Sequence, residues 1–130
     1  MPQESALIAV IDDELAYIEF VGDLLTEEGY RTIQSVGQDK AHEMIQREKP
    51  DLVILDIQLE HLDSGWQILQ LIRLDPTTKG IPVIVCSADA VFLREKEEQL
   101  RAQNCDVLEK PFDLDMLLEK IRAMLDSSTD

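Results

Sequence analysis

Residues 6–13 read ALIAVIDD, an unbroken apolar run that ends in two aspartates. A strand with one covered face alternates between apolar and polar side chains, whereas a strand covered on both faces is apolar throughout. The run therefore predicts a central strand of a parallel sheet, with helices packed on both of its faces. Asp12 and Asp13 would stand at the carboxyl end of that strand.

Apolar runs alternate with helical periods along the rest of the chain. Four further strands are predicted over Arg31–Val36, Asp51–Asp56, Ile81–Cys86 and Cys105–Leu108. Between and after them, apolar residues recur every three or four positions, the period of a helix with one buried face. These helices are predicted over Asp13–Glu28, Asp39–Lys49, Trp66–Asp75, Asp89–Ala102 and Leu114–Leu125. Strand–helix units in this alternation predict an α/β, doubly wound (βα)5 fold.

Length and charge limit the class of protein. A chain of 130 residues can bury the core of one domain, which we expect over residues 1–130, with its core at about 6–125 and a solvated tail at 126–130. The 27 acidic and 12 basic residues leave a formal net charge of −15, which repels nucleic acid and anionic lipid. No apolar run approaches the roughly 20 residues of a membrane span, and the first residues do not read as a secretory signal. We therefore expect a cytoplasmic protein that contacts neither nucleic acid nor membrane.

Polar residues follow four of the predicted strands at the point where each strand ends. The first strand ends in Asp12 and Asp13, the third in Asp56 and the fourth at Ser87, while Lys110 follows the fifth. These ends meet at one edge of an open parallel sheet, the edge where ligands bind in such folds. Carboxylates at close range repel one another, and either a proton or a hard divalent cation relieves the repulsion. The cluster therefore predicts a magnesium site, with Asp56 as a nucleophile toward phosphorus and with Lys110 and Ser87 beside the phosphoryl oxygens.

Each of these residues taken alone has a simpler structural role. An aspartate pair after a strand usually caps a helix, a single serine usually lies in a turn, and a single lysine usually lies on the surface. Only their combination at one edge favours the functional interpretation. His61, in the loop after the third strand, is interpreted as a solvated histidine rather than a phosphotransfer group. Asp51 is interpreted as a solvated strand start, and His42 as an exposed helix residue without a function.

The cluster and its flanking residues resemble the signature of response regulator receiver domains. The matching elements, each after the corresponding strand, are Asp12-Asp13, Asp56, Ser87-Ala88 and Lys110-Pro111-Phe112. The resemblance spans residues 6–125 and implies a flavodoxin-like, CheY-like sheet with the strand order 2-1-3-4-5. It also implies that the bond between Lys110 and Pro111 is cis.

The resemblance further implies the chemistry of the site. Asp13, Asp56 and the backbone carbonyl of Gln58 would bind Mg²⁺, with Asp12 acting through water. Asp56 would accept a phosphoryl group from a histidine kinase or a histidine phosphotransfer protein, and Gln58 and Asp89 would modulate hydrolysis of the acyl phosphate. The protein would signal through contacts around the fourth helix, fifth strand and fifth helix, as a stand-alone receiver that is a monomer or a weak homodimer.

Two features depart from the usual receiver pattern. Residues 57–65 read IQLEHLDSG, one residue longer than the usual loop and with Glu60 where receivers carry a proline. Three residues before the lysine, receivers usually carry a tyrosine or phenylalanine whose rotamer reports phosphorylation, and this chain has Val107. Because valine has no ring to move, switching would have to rest on Ser87 and on movement of the fourth helix.

Three functions stay open at this point, and a phosphorylatable signalling switch is the favoured one. A degenerate receiver, which binds a partner without being phosphorylated, is suggested by Val107 and the altered loop, although all five site residues are retained. A phosphohydrolase with an aspartate nucleophile is the third alternative. Such enzymes usually place a general acid two residues after the nucleophile, and glutamine at Gln58 cannot donate a titratable proton.

Overall fold

The computed structural model describes residues 6–36, 40–57 and 64–128. Five strands alternate with five helices along these ranges. The strands are β1 (Leu7–Asp12), β2 (Arg31–Val36), β3 (Leu52–Asp56), β4 (Val83–Ser87) and β5 (Cys105–Glu109). The helices are α1 (Leu15–Glu27), α2 (Ala41–Glu48), α3 (Ser64–Leu74), α4 (Ala90–Arg101) and α5 (Leu114–Ser128).

The strands form one parallel sheet in the order β2-β1-β3-β4-β5. Every residue of β3 and β4 is buried, and so is all of β1 beyond its first residue. The edge strand β2 instead varies between exposed and half-buried positions. The doubly wound α/β fold, its strand order and the central position of the first strand are therefore confirmed.

Each face of the sheet carries its own apolar core. On one face, α1 and α5 pack against the sheet through residues such as Ile18 and Ile121. On the other face, α2, α3 and α4 pack against it through Ile45, Leu69 and Leu93. No helix within the described ranges is long and apolar enough to cross a membrane.

The start of α1 differs from the predicted start, and a local hydrogen bond explains the difference. The helix begins at Leu15 rather than at Asp13. A carboxylate oxygen of Asp12 accepts a hydrogen bond from the backbone N–H of Glu14 at 3.1 Å. This bond closes a turn directly after β1, so the helix starts two residues later and Asp13 stays beside the strand end.

Two further bounds are corrected by the structure. β4 begins at Val83 rather than at Ile81, because the intervening Pro82 has no N–H to donate to the sheet. α5 runs to Ser128 and so includes the first three residues of the predicted solvated tail. Leu125, only 3% exposed, packs into the core and anchors this last turn.

Arg73 fastens the end of α3 to the amino ends of β4 and β5, an edge that we call the amino edge. Its half-buried guanidinium donates hydrogen bonds to backbone carbonyls and to a thiol sulfur. The acceptors are the carbonyls of Gln103 (2.6 Å), Ile81 (2.8 Å), Lys79 and Asn104 (both 3.2 Å), and the Cys105 sulfur (3.6 Å). Arg73 therefore saturates carbonyls of two loops at once, a role that the sequence did not reveal.

Asp51 and His42, to which no function was assigned, also make side-chain contacts. Asp51 is exposed, but its carboxylate accepts a hydrogen bond from the backbone N–H of Leu7 at 2.8 Å and so joins β3 to β1. The His42 ring nitrogen lies 3.2 Å from the Asp75 carboxylate, which also accepts a hydrogen bond from Gln46 at 2.7 Å. Asp51 is therefore exposed directly before β3, as interpreted, with a structural hydrogen bond in addition, whereas His42 is half-buried rather than exposed.

Candidate active site

The predicted polar residues lie together where the central strands end, an edge that we call the carboxyl edge. Asp12 ends β1, Asp56 ends β3 and Ser87 ends β4, and these strands are adjacent in the sheet. Lys110 follows β5, and its backbone N–H donates to the carbonyl of Ser87 at 2.8 Å. Asp12, Asp56 and Ser87 are 1%, 8% and 0% exposed, so the sheet buries three polar side chains at this edge.

Three carboxylates form an acidic cluster at this edge. One ligand oxygen each from Asp12, Asp13 and Asp56 lie within 4.8 Å of one another. Asp13 is exposed, yet partial burial, a hydrogen bond with Asp12 and the charge of Asp12 all raise the pKa of its carboxyl. Hard divalent cations such as Mg²⁺ bind to carboxylate oxygens, so the donor set of this cluster fits such a cation.

The Lys110 ammonium lies between two of these carboxylates. Its Nζ is 2.8 Å from Asp12 Oδ2 and 3.0 Å from Asp56 Oδ2. Burial disfavours the charge of this ammonium, but the two hydrogen bonds and the two negative charges outweigh burial and raise the pKa of Lys110. The lysine is therefore held charged beside Asp56. The bond between Lys110 and Pro111 is cis, as the resemblance implies.

Ser87 is joined to the start of α4 through Asp89. The Ser87 hydroxyl oxygen accepts a hydrogen bond from the backbone N–H of Asp89 at 3.0 Å. The Asp89 carboxylate in turn accepts the backbone N–H of Phe92 at 3.0 Å and caps α4. Asp89, which was predicted to modulate hydrolysis, thus has a carboxylate that serves as a helix cap. A displacement of the serine hydroxyl would therefore act directly on the first turn of α4.

Gly65 places the start of α3 against the backbone of the acceptor strand. A Cβ at this position would overlap the carbonyl oxygen of Asp56 and the backbone of Ile57. The backbone N–H of Ile57 donates to the carbonyl of Cys86 at 3.0 Å, which holds this segment to β4. The absence of a side chain at Gly65 thus lets α3 pack directly on the residue that follows Asp56.

Val107 lies on β5 opposite Val85, half-buried against the core under α3 and α4. Two aromatic residues, which the sequence did not single out for switching, pack against the same core. Trp66 of α3 and Phe92 of α4 meet edge to face, with ring centroids 6.2 Å apart and planes at 87°. The aromatic residues of this face therefore lie between the two helices rather than on β5.

The sequence did not predict the position of Tyr17 or the groove beside the cluster. The groove lies between α1 and α5 and has a volume of about 460 Å³. Its lining is mostly apolar and includes Tyr17, Phe20, Leu24, Lys110, Phe112 and Leu117. The Tyr17 hydroxyl is buried without a hydrogen-bond partner among the described residues, and burial, followed by nearby acidic groups, raises its pKa. The helical period assigns Tyr17 to the core, and no feature of the sequence indicates that its ring lies beside Lys110.

Three predicted or noted residues lie outside the part of the chain that the structure describes. Gln58, whose carbonyl was predicted to bind Mg²⁺ and whose side chain was predicted to modulate hydrolysis, lies outside the described residues. His61 and Glu60, in the unusual loop, lie outside them as well.

Comparison with known proteins gives the family. Residues 8–122 match the response regulator receiver domain. The chain is 33% identical over 118 residues to the "DNA-binding dual master transcriptional regulator RpaA" of Synechocystis sp., covering 91% of this chain and 48% of that protein. It is 28% identical over 119 residues to the "Polar-differentiation response regulator DivK" of Brucella anthropi, covering 91% of this chain and 94% of that one.

A solved structure shares the fold. The receiver domain of a sensor histidine kinase from Pseudomonas aeruginosa PAO1, with magnesium in its active site cleft, superimposes with a TM-score of 0.79. It is 23% identical and covers 94% of this chain and 98% of that domain. The matched relatives thus include proteins of about this length and one of about twice this length. With the family match extending from β1 into α5, the chain belongs to the receiver domains of two-component response regulators.

Proposed function

We propose that this receiver accepts a phosphoryl group on Asp56 in the presence of Mg²⁺, and that it signals in the cytoplasm through protein contacts. The donor would be a histidine kinase or a histidine phosphotransfer protein. One observation carries the proposal: the Asp56 carboxylate lies within 4.8 Å of two further carboxylates and 3.0 Å from the Lys110 ammonium. That arrangement offers a nucleophile, a cation site and a fixed positive charge at one point.

The residues of the cluster divide the chemistry between them. Asp13 and Asp56 would hold Mg²⁺, with Asp12 acting through water and the Gln58 carbonyl completing the set. The metal would neutralise negative charge on the incoming phosphoryl group. A carboxylate oxygen of Asp56 bonds to phosphorus as the bond from phosphorus to the donor's histidine nitrogen breaks. Lys110 stays charged throughout and stabilises the phosphoryl oxygens, together with the Ser87 hydroxyl.

The groove between α1 and α5 supports a protein as the donor. Lys110 lines this groove as well as the acidic cluster, so a helix lying in the groove would reach Asp56. Phe20 is 63% exposed on the groove wall and offers an apolar contact to such a helix. An amphipathic helix with a histidine on its polar flank suits a groove with an apolar floor beside a charged site.

The proposed switch runs through α4 rather than through an aromatic residue on β5. Ser87 accepts the backbone N–H of Asp89, and Asp89 caps α4 at Phe92. Phe92 also packs edge to face on Trp66. A phosphoryl group that recruits the Ser87 hydroxyl would break the bond to Asp89 and shift this aromatic pair. Because Trp66 is the single tryptophan, its fluorescence reports that shift.

The deciding experiment is intact-protein mass spectrometry after incubation with Mg²⁺ and acetyl phosphate. We expect a gain of one phosphoryl group in the parent protein and no gain in Asp56→Asn, and removal of Mg²⁺ with a chelator should prevent the gain. A parent that binds Mg²⁺ but gains no mass would favour the degenerate receiver that Val107 suggests. Continuous phosphate release without a mass gain would instead favour a phosphohydrolase.

The lifetime of the acyl phosphate is predicted to depend on Gln58 and Asp89. A polar side chain beside Asp56 can orient the attacking water. We expect Gln58→Ala to change the rate of dephosphorylation without preventing phosphorylation. Decay of the phosphoprotein, followed by mass after removal of the donor, measures this rate. Identical decay curves for the parent and the variant would count against the role of Gln58.

A further inference from the structure

The Lys110 ammonium has a third neighbour besides Asp12 and Asp56. The face of the Tyr17 ring lies under its Nζ, 4.2 Å from the ring centroid. A cation over an aromatic face is attracted by the electron density of the ring, and the attraction is larger where water is partly excluded. The Lys110 side chain is 18% exposed, so this contact lies in such an environment.

The Tyr17 ring is itself held in place. Phe112, two residues after Lys110, packs on it edge to face, with ring centroids 6.3 Å apart and planes at 81°. On the helix side, the neighbouring residue Ile18 is fully buried in the core beneath α1. The ring is therefore fixed from α1 and from the segment that follows Lys110.

The Lys110 side chain borders a second space besides the acidic cluster. It lines the apolar groove of about 460 Å³ between α1 and α5 as well as the acidic cluster. A long, flexible lysine side chain reaches any acceptor within its length unless its surroundings restrict it. The Tyr17 ring, which also lines the groove, supplies that restriction by offering a favourable position next to Asp56.

We propose that Tyr17 is a positioning residue for Lys110, and that its ring, not its hydroxyl, holds the ammonium beside the acceptor carboxylate. The inference deepens the proposed phosphoryl transfer and rests on it for its effect on rate. The hydroxyl is buried and makes no hydrogen bond within the described ranges, so removing it costs the protein no partner. Tyr17→Phe is therefore a matched control that keeps the ring and removes only the oxygen.

The contact itself is tested by NMR on the unphosphorylated full chain, without metal or donor. Protons that lie over an aromatic face shift upfield, so the Lys110 side-chain CH2 protons next to Nζ should be shifted upfield in the parent and in Tyr17→Phe. The shift should disappear in Tyr17→Leu. A parent spectrum without this upfield shift would overturn the proposal, whether or not Asp56 accepts phosphate.

The effect on function is tested by the rate of phosphorylation with acetyl phosphate at saturating Mg²⁺. We expect Tyr17→Phe to react at the parent rate and Tyr17→Leu to react roughly threefold to thirtyfold more slowly, the range that a lost cation–aromatic contact represents. In a Lys110→Ala background, Tyr17→Leu should cause no further loss. Equal slowing by both Tyr17 variants, or an undiminished effect without the lysine, would contradict positioning through the ring.

Two controls separate positioning from folding and from failure of the proposed function. Leu15→Ala alters an exposed apolar residue on the same helix and should leave both the rate and the lysine shift unchanged. If Tyr17→Leu melts early, Tyr17→Met replaces it as a ring-free variant of similar bulk. If the parent gains no phosphoryl group, the proposed function fails while the lysine shift still supports or overturns the contact.

Discussion

The two edges of the sheet hold charged groups in opposite ways. At the amino edge, one guanidinium donates to four backbone carbonyls and a sulfur, so Arg73 has little capacity left for another partner. At the carboxyl edge, three carboxylates form a cluster and the Lys110 ammonium pairs with two of them, so the negative charges of the cluster outnumber this positive one.

This difference implies that the charged group of the amino edge contributes to stability, whereas the charged groups of the carboxyl edge serve binding. A charge whose hydrogen bonds are filled by backbone groups joins loops together and contributes to the free energy of unfolding. A cluster with uncompensated charge costs stability and is retained where a ligand supplies the compensation. Substitutions at the amino edge should therefore change the free energy of unfolding without changing cation binding. Substitutions at the carboxyl edge should weaken cation binding and raise the free energy of unfolding of the metal-free protein.

The largest effect is expected from Arg73→Leu at the amino edge. The substitution strands several backbone carbonyls, so we expect the free energy of unfolding to fall by roughly 2–4 kcal/mol. Urea denaturation measures the loss, and Mg²⁺ affinity should stay at the parent value under conditions where the variant is folded. Arg94→Leu, at an exposed position on α4, is the matched control and should cost little. Similar losses in both variants would remove the distinction between the edges.

A smaller loss is expected from Thr78→Val in the turn between α3 and β4. The fully buried Thr78 hydroxyl donates to the carbonyl of Ile72 at 2.8 Å. Valine has the same shape but leaves that carbonyl unsatisfied, at a cost of roughly 1–2 kcal/mol. Thr77→Val, one residue earlier, removes an exposed hydroxyl that solvent can replace and should cost less. Equal unfolding midpoints in urea for the two variants would refute the argument from burial.

At the carboxyl edge, a substitution should raise the free energy of unfolding rather than lower it. Asp13→Asn removes one of three mutually repelling carboxylates, and because this carboxylate is exposed we expect a gain of at most about 1 kcal/mol in the absence of metal. Addition of Mg²⁺ should raise the melting temperature of the parent more than that of the variant, since binding to the folded state stabilises it. Asp23→Asn, on the exposed face of α1, should show neither change. A metal-free loss of stability in Asp13→Asn would contradict the repulsion.

Chemical labelling of the two buried thiols compares how readily the two edges open. Burial raises the pKa of the Cys86 thiol to about 12, and burial likewise raises that of Cys105 against the opposing charge of Arg73. Both thiols are therefore protonated at pH 8, and a thiol reagent should label them only when the structure opens. In Arg73→Leu we expect Cys105 to be labelled faster than Cys86, as peptide mapping by mass spectrometry would show. Rapid labelling of Cys86 in the parent protein would mean that the carboxyl edge opens more easily than its burial indicates.

The sequence was most informative for strands that are buried on both faces and for the residues at which strands end. β1, β3 and β4 were predicted from unbroken apolar runs, and the cluster was predicted because parallel strands bring Asp12, Asp56 and Ser87 to one edge. These inferences depend only on the order of strands and helices along the chain. They needed no knowledge of side-chain rotamers.

The contacts that were missed depend on rotamers and on backbone acceptors. Arg73 binds carbonyls, which every residue carries, so no residue type in the loops marks its partners. Tyr17 meets Lys110 only because β1 and β5 lie on either side of β3 and β4 and the segments that follow them turn toward the same end of the sheet. The extension of α5 to Ser128 follows from the anchoring of Leu125 in the core, which the polar composition of the tail conceals.

Gly65 has a consequence for how tolerance to substitution should be interpreted. Any side chain at this position would meet the backbone of Asp56 and Ile57, and backbone cannot move aside as a flexible side chain can. In a saturation mutagenesis experiment scored by signalling output, alanine at Gly65 should therefore be as damaging as a change to a reacting group. Intolerance at this position would record the spacing between a helix and a strand, not a chemical role, and a designer who transplants this site must keep that spacing.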